Sequence, residues 1–187
     1  TTTDGTVRAT AEPGRRQALL PPPQVQNHAA NLTVLPDGTL ACVWFAGTQE
    51  GVPDISVWFS RLDVDTWSAP VQLSDDPTRS EQNPILFLAP DSRLWLIHTA
   101  QKSGHQDTAF VRCRISEDDG RTWGPAHTLF PGPGVFVRQP VVVLDNGDWL
   151  IGIFRCRTQP GRKWSGDNDD SAVMISTDQG ATWTEHA

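Results

Sequence analysis

The chain repeats one eight-residue pattern, Ser-x-Asp-x-Gly-x-x-Trp, at Ser116-Glu117-Asp118-Asp119-Gly120-Arg121-Thr122-Trp123 and at Ser176-Thr177-Asp178-Gln179-Gly180-Ala181-Thr182-Trp183. Within such a pattern the Asp can accept backbone N–H bonds and the Gly can take a positive φ, as a tight turn requires. The Trp that follows can pack between sheets. The pattern therefore predicts a recurrent structural turn rather than a pair of catalytic aspartates.

Three similar segments lie outside this pattern and begin at His28, Gln82 and Arg138. Each is an apolar run, a turn and a second apolar run, which is typical of a β-hairpin. A second hairpin follows each of them and contains one Trp, at Trp67, Trp123 and Trp183. Two hairpins in roughly 55 residues form the pattern of a four-stranded propeller blade. The sequence therefore predicts three consecutive blades.

Composition excludes several classes of function. Fifteen Lys and Arg against 22 Asp and Glu give a net charge of -7, which disfavours binding to a phosphate backbone. We therefore expect no nucleic acid partner. No apolar run is long enough to span a membrane and the first residues do not resemble a signal peptide, so a soluble chain with no membrane partner is expected, in a compartment that the sequence leaves open.

The three cysteines, Cys42, Cys113 and Cys156, have no metal-ligand spacing. Each lies in a strand-like apolar segment, where a small buried thiol is the usual interpretation. We therefore expect neither a metal nor a cofactor.

The repeated octapeptide matches the Asp box, or BNR repeat, of sialidases and related propellers. The chain resembles that family from about residue 26 to the end, and its first blade keeps only Trp67 of the motif. The resemblance implies an all-β fold, an Asp-box β-propeller of the sialidase type with about three four-stranded blades of a six- or seven-bladed ring. We expect residues 1–25 to be an N-terminal extension and residues 26–187 to be the propeller.

Blade geometry predicts which polar residues meet. The start of the first strand and the loop between the second and third strands share one face, whereas the hairpin turns and Asp boxes lie on the other. On the first face we expect catalytic candidates and substrate-binding candidates. The catalytic candidates are His28, Glu50, Asp54, His105 and Asp107, and the binding candidates are Arg79, Gln82, Asn83, Arg138, Gln139 and Trp164.

These residue types suit an acidic sugar. An Arg can bind a carboxylate bidentately, a carboxylic acid or a His can transfer protons, and a Trp can stack on a sugar ring. Arg138 opens the third repeat, at the place that His28 and Gln82 occupy in the other two, so its side chain is expected at the mouth of the channel.

The family resemblance adds expectations about individual residues. A sialidase has a carboxylate-binding Arg in an Arg-Ile-Pro segment of its first blade, where this chain has His28-Ala29-Ala30; an Arg-x-Pro segment occurs instead at Arg138. The sialidase general acid is an Asp in the first inter-hairpin loop, where Glu50 and Asp54 stand here. The nucleophilic Tyr would come from blades outside this chain.

Three functions remain open at this point. The first is a sialidase-like exo-glycosidase, and the second is a uronate-directed hydrolase or lyase of the rhamnose-glucuronate type, in which a His such as His28 or His105 serves as acid or base. The third is a glycan-binding propeller without catalysis, because a fold alone does not imply activity. The expected partner in all three is an oligosaccharide or polysaccharide with an acidic sugar.

Overall fold

The computed structural model describes residues 2–186, which form β-strands and loops and no α-helix. The chain begins with a short hairpin, β1 (Arg8–Ala9) and β2 (Arg16–Gln17). Val7, Ala18 and Leu20 pack on the first blade beside Trp44 and Trp67. The N-terminal residues therefore cover part of the outer face of that blade.

The first blade contains five strands, and its sheet order is β3-β4-β5-β6 with β7 also paired to β5. Its strands are β3 (Gln26–Val34), β4 (Leu40–Gly47), β5 (Ser56–Asp63), β6 (Thr66–Trp67) and β7 (Val71–Gln72). All pairs are antiparallel. The outermost position is thus divided between two short strands.

The second blade is a regular four-stranded meander, β8 (Ser80–Leu88), β9 (Leu94–Lys102), β10 (His105–Ser116) and β11 (His127–Phe130). The third has a divided innermost strand, in which β12 (Val135–Phe136) and β13 (Val142–Val143) both pair with β14 (Trp149–Arg155). Its outer strands are β15 (Asp170–Ser176) and β16 (Thr184–His186). The prediction of three blades in an all-β sialidase-type propeller is confirmed.

Each innermost strand has an irregularity near its start. The register shifts after His28 in β3 and after Gln82 in β8, next to residues Ala29 and Asn83, which have positive φ. In the third blade the break lies between β12 and β13 and contains Arg138. His28 faces Phe45, Gln82 faces Thr99 and Phe136 faces Phe154. Phe136, rather than Arg138, therefore occupies the position of His28 and Gln82.

The two Asp boxes form nearly the same hydrogen-bonded turn. In the second blade Ser116 Oγ donates to Asp118 Oδ1 at 2.8 Å and accepts the Gly120 N–H at 2.8 Å, while the Thr122 N–H donates to Asp118 Oδ1 at 2.7 Å. The Thr122 hydroxyl, followed by its N–H, lowers the pKa of Asp118 to about 2. The Trp123 indole N–H closes the turn on the Gly120 carbonyl at 3.2 Å. The structural interpretation of this motif is confirmed.

Each Asp box packs against the preceding blade. The Trp123 ring lies 5.6 Å from the Phe59 ring in the first blade, and the Trp183 ring lies 5.5 Å from the Phe130 ring in the second. Gly180 has so little space that a Cβ there would come within 2.9 Å of the Trp95 ring. The motif's glycine and tryptophan therefore join neighbouring blades.

A buried ionic cluster also lies between the first two blades. Arg112 donates to Glu81 at 2.8 Å and to Asp76 at 2.6 Å. Glu81 is 1% exposed, and its carboxylate lies 3.9 Å from Nδ1 of the fully buried His98. Because a buried carboxylate needs a partner, the Arg112 guanidinium stabilises the start of β8.

All three cysteines are buried and free, as the sequence predicts. Burial raises the pKa of the Cys42 thiol to about 11 and that of the Cys113 thiol to about 12. These thiols are therefore protonated packing residues.

Candidate active site

Loops of the second and third blades meet at Asp107. Asp107 Oδ2 accepts a hydrogen bond of 2.6 Å from the Thr158 hydroxyl, across 51 positions of sequence. Its other oxygen, Oδ1, is buried and has no hydrogen-bond partner within residues 2–186. A buried acceptor of this kind requires a donor, so Oδ1 can accept a hydrogen bond from a group outside the described residues.

Arg138 presents a free cation beside this contact. Its side chain is exposed, and its guanidinium lies 5.6 Å from the centroid of the Phe136 ring and 5.8 Å from that of Phe154. Among the described residues no carboxylate or carbonyl pairs with it. The aromatic pair therefore holds a positive charge in solvent, where it is available to a ligand.

The electrostatics of Cys156 link these groups. Its pKa is raised to about 12, first by burial, then by the negative charges of Asp169 and Asp107, with Arg138 acting in the opposite direction. The charges of Asp169, Asp107 and Arg138 therefore all act on one buried thiol. Gln106, whose Oε1 lies 3.9 Å from the Cys156 sulfur, belongs to the same group.

Trp164 completes this part of the face. The indole is half-buried, packs near Phe154 in the cluster of Phe136 and Cys156, and donates to Asp169 Oδ1 at 3.0 Å. Asp169 Oδ1 also accepts the Arg157 N–H at 2.9 Å. The indole is thus fixed by packing and by a hydrogen bond, as a stacking platform for a sugar requires. Gln139 is exposed next to Arg138.

The inter-hairpin loops of the first two blades touch one another. The Gly104 N–H donates to the Gly51 carbonyl at 3.2 Å, which places the neighbouring residues Glu50 and His105 at one junction. Both side chains are exposed, and neither has a hydrogen-bond partner in the part of the chain that the structure describes. A carboxylic acid and an imidazole are suited to proton transfer.

Asp54 has a different environment from Glu50. Its carboxylate accepts the Thr48 N–H at 3.2 Å and the Thr48 hydroxyl at 2.6 Å. Those bonds close the loop and leave the carboxylate already engaged within the protein. Of the two carboxylates that the sequence left equivalent, Glu50 is the one that is free to act on a ligand.

His28 lies apart from these groups, at the exposed start of β3. Its ring packs 5.2 Å from that of Phe45 and lines an apolar cavity of about 420 Å³ together with Leu20, Pro21 and Trp44. Among residues 2–186, no second titratable group of the candidate site pairs with it. Its catalytic role stays a prediction.

Three predicted binding residues point into the protein. Arg79 donates to the Ala100 and Thr108 carbonyls at 3.2 and 3.1 Å and lies 4.3 Å from the Phe110 centroid. Gln82 is 2% exposed between blades, and Asn83 is half-buried in the irregular part of β8. Their predicted contact with substrate stays untested, and the geometry gives Arg79 an additional structural role.

Two important contributors escape the sequence reasoning. Phe136 supports Arg138. The feature of the sequence that could have identified it is its position two residues before an Arg near the start of a strand. Thr158 holds Asp107 but lies in a long loop of the next blade, where no motif marks it.

Residues 2–186 contain no group of three or more His, Cys, Asp or Glu side chains placed to hold a metal ion. The described residues also provide no helix long and apolar enough to cross a membrane.

Known structures share this architecture. A microbial sialidase from the Hadza, Hz136, superimposes with a TM-score of 0.71 at 14% identity, over 87% of this chain and 37% of that one. A leech intramolecular trans-sialidase gives 0.66 at 12% identity, over 87% and 43%. The α-L-arabinanase of Penicillium chrysogenum gives 0.61 at 15% identity, over 87% and 50%. At these identities the likeness concerns the fold.

This chain spans less than two thirds of the length of each of those three structures. Among curated proteins the sequence has no match. The model of the BNR repeat-like domain matches residues 38–187, a range that contains both Asp boxes. The chain therefore belongs to the BNR repeat-like family and forms part of a sialidase-like β-propeller.

Proposed function

We propose that this chain forms part of a carbohydrate-active enzyme that acts on an acidic glycan. The observation that carries the proposal is Arg138, an exposed guanidinium without a protein partner among residues 2–186, held over Phe136 and Phe154 on the face where the inter-hairpin loops meet. A guanidinium in that position can form two parallel charge-assisted bonds with one carboxylate.

The neighbouring groups supply the remaining requirements of glycan chemistry. Trp164 offers an indole face to a sugar ring, and Asp107 offers an unpaired carboxylate oxygen. Glu50 and His105, at the junction of two loops, are the acid and base candidates. The fold of sialidases and of an arabinanase supports a glycosidase, although a fold hosts several activities.

Hydrolysis and elimination require different catalytic groups. A hydrolase needs a paired acid and nucleophile or base, for which this chain offers Glu50. A uronate lyase needs a cation to neutralise the substrate carboxylate and a base to remove a proton, and Arg138 and His105 are the candidates for these two roles. Elimination leaves an unsaturated sugar that absorbs in the ultraviolet, so one spectrophotometric assay of the full-length protein distinguishes the two reactions.

The proposal is tested with Arg138→Lys and Arg138→Ala in the full-length protein. The variants are compared with the parent on a carboxylate substrate and on its carboxamide analogue. We expect both to bind the acidic substrate more weakly and to treat the neutral analogue as the parent does, because only the carboxylate uses the planar guanidinium. Arg93→Lys, in the β8–β9 turn on the opposite face, is the matched control.

Thermal melts of the same variants separate binding from folding. If both Arg138 variants melt like the parent and handle the acidic substrate equally well, Arg138 does not bind the carboxylate and the proposal loses its support.

A further inference from the structure

The long loop between β14 and β15 forms a small polar cavity of about 130 Å³ that is open to solvent. Three cationic residues, Arg157, Arg162 and Lys163, line it together with the hydroxyl-bearing residues Thr158 and Ser165. Gln159, Asp167 and Asn168 complete the wall. Because the cavity is small and its wall is mostly polar and charged, it suits an anionic group.

The charges around this cavity do not balance. Arg157 is paired with Asp170, to which its Nε donates at 2.8 Å. Within residues 2–186, Arg162 and Lys163 have no carboxylate partner. Asp167 is the one acidic residue in the wall, and its Oδ2 accepts from the Ser165 hydroxyl at 2.7 Å. Two unpaired cations therefore face one carboxylate, which leaves a positive excess.

The other carboxylates of the loop are already occupied. Asp170 also accepts from Arg155 Nε at 2.6 Å, and hydrogen bonds from Arg155 and then from Arg157 hold its pKa below its usual range. Asp169 accepts from the Trp164 indole and from the Arg157 N–H. Within residues 2–186 neither of them pairs with Arg162 or Lys163.

The loop that carries the cations is ordered by its own backbone. Arg162 N–H donates to the Gln159 carbonyl at 3.0 Å, and Asp169 N–H donates to the Gly166 carbonyl at 3.2 Å. Gly161 and Gly166 both have positive φ, which these turns require. The cavity is thus bounded by two tight turns, so that a ligand would meet its cations without a large rearrangement of the loop.

This cavity adjoins the surface that holds Arg138. Trp164 lies in sequence between Lys163 and Ser165, which both line the cavity, and its indole packs in the same apolar cluster as Phe136 and Phe154. Arg138 lies over those two rings. The Trp164 indole therefore connects the cavity with the surface to which we assign the substrate carboxylate.

We propose that the cavity binds a second anionic group of the same glycan, either a sulfate ester or a further carboxylate. The inference rests on the proposed function for its substrate and on the cavity for its site. The preferred ligand is then a glycan with at least two negative charges, one for Arg138 and one for Arg162 and Lys163. Hydroxyl donors and guanidinium groups recognise both kinds of anion.

The first test is direct anion binding by the full-length protein. Sodium sulfate is titrated while the Nε–H signal of Arg157, which lines the cavity and is present in every variant, is followed by NMR at constant ionic strength. We expect saturable shifts that disappear in Arg162→Gln/Lys163→Gln and persist in Arg138→Ala. Linear shifts that the double variant retains would overturn the inference. Because this readout needs no glycan, it stands even if the proposed function fails.

The second test uses three oligosaccharides with the same backbone, bearing one carboxylate, two carboxylates, or one carboxylate and one sulfate. Calorimetry should show that Arg162→Gln/Lys163→Gln loses on the order of tenfold in affinity for one or both of the dianionic ligands, with affinity for the monoanionic ligand retained. The dianionic ligand that suffers the loss identifies sulfate or carboxylate as the second group.

Two further variants make this experiment decisive. Asp167→Asn removes the opposing charge and should tighten binding of the dianionic ligand, whereas the exposed control Arg16→Gln in the N-terminal hairpin should change nothing. Equal affinities of the double variant and the parent for both dianionic ligands would overturn the inference, and so would an equal loss for all three ligands.

Discussion

Two aspartates of this chain illustrate how environment assigns a role to one side-chain type. Asp118 uses both carboxylate oxygens within its own turn, accepting from Ser116 and Thr122, and its pKa falls to about 2. Asp107 uses one oxygen for Thr158 and leaves the other buried and unpaired in the part of the chain described. The first is therefore a structural anion, and the second can interact with a ligand.

Replacing an Asp-box tryptophan should affect stability before chemistry. Trp183→Ala removes the edge contact with Phe130 and the indole bond to the Gly180 carbonyl, and we expect a loss of about 3 kcal/mol, at the lower end for large aromatic truncations because Trp183 is half-buried. Chemical denaturation of the full-length protein measures it. A variant that loses activity but unfolds like the parent would contradict the structural role.

A second residue-scale prediction concerns His98. Burial, opposed by Glu81 but aided by Arg112 and Arg114, lowers its pKa from 6.5 to about 4. Because the unfolded chain protonates this His first, stability should fall as the pH drops from about 6.5 towards 4. Against the effect of desolvation, hydrogen bonds from Thr78 and Arg112 hold the pKa of Asp76 at about 2, so its pair with Arg112 persists over that range.

The measurement is urea unfolding at pH 7, 5.5 and 4.5 for the parent and for His98→Gln. The slope with pH should be smaller in the variant, since Gln does not titrate. Identical slopes would show that other groups determine the acid sensitivity.

At the scale of one element, the bulge at the start of β10 carries His105, Gln106 and Asp107. Arg79 holds this bulge through hydrogen bonds to the Ala100 and Thr108 carbonyls and by stacking on Phe110. The register of β10 against β9 shifts between His105 and Phe110, so strand pairing alone does not fix this segment. Arg79 therefore positions residues that face the candidate site.

Arg79→Ala should loosen this segment while leaving the Asp boxes intact. Hydrogen exchange of residues 102–109 is expected to accelerate by about tenfold, which corresponds to a loss of about 1.4 kcal/mol, with exchange at residues 116–123 unchanged. Arg79→Lys should have an intermediate effect, because an ammonium can still donate to a carbonyl. Unaltered exchange at 102–109 in the Ala variant would exclude the positioning role.

Sequence reasoning succeeds for elements whose determinants are local. The hairpin turns at Gly38 and Gly147, and the Asp boxes, involve residues within a few positions of one another, so pattern and turn chemistry predict them. The site depends on distant pairs: Asp107 meets Thr158 across two blades, and the break between β12 and β13 places Arg138 beyond the position of Gln82. A register shift inside a strand leaves no signal in the apolar pattern.

At the scale of the whole molecule, the two blade interfaces contrast with the outer faces of the first and third blades. Phe59 with Trp123, and Phe87 with Trp149, bury aromatic pairs between blades. By contrast, Leu32 is 60% exposed on β3 and Val142 is 50% exposed on β13. Each of these two strands is the innermost strand of its blade. On the faces that no neighbouring blade of this chain covers, they present apolar side chains of the kind that are buried between blades elsewhere.

The last prediction follows from those exposed faces. Residues 1–187 expressed by themselves should self-associate, because apolar side chains and unpaired strand edges at β3 and β13 favour contact with further chains. Size-exclusion chromatography with light scattering should find oligomers or aggregates, and Leu32→Lys/Val142→Lys should shift the distribution towards monomer by placing charges on both faces. Val64→Lys is the matched control, since Val64 is 89% exposed in a turn away from these strands. A monodisperse monomer of the unaltered chain with a cooperative, high-temperature melt would show that the three blades need no further partner to cover their faces.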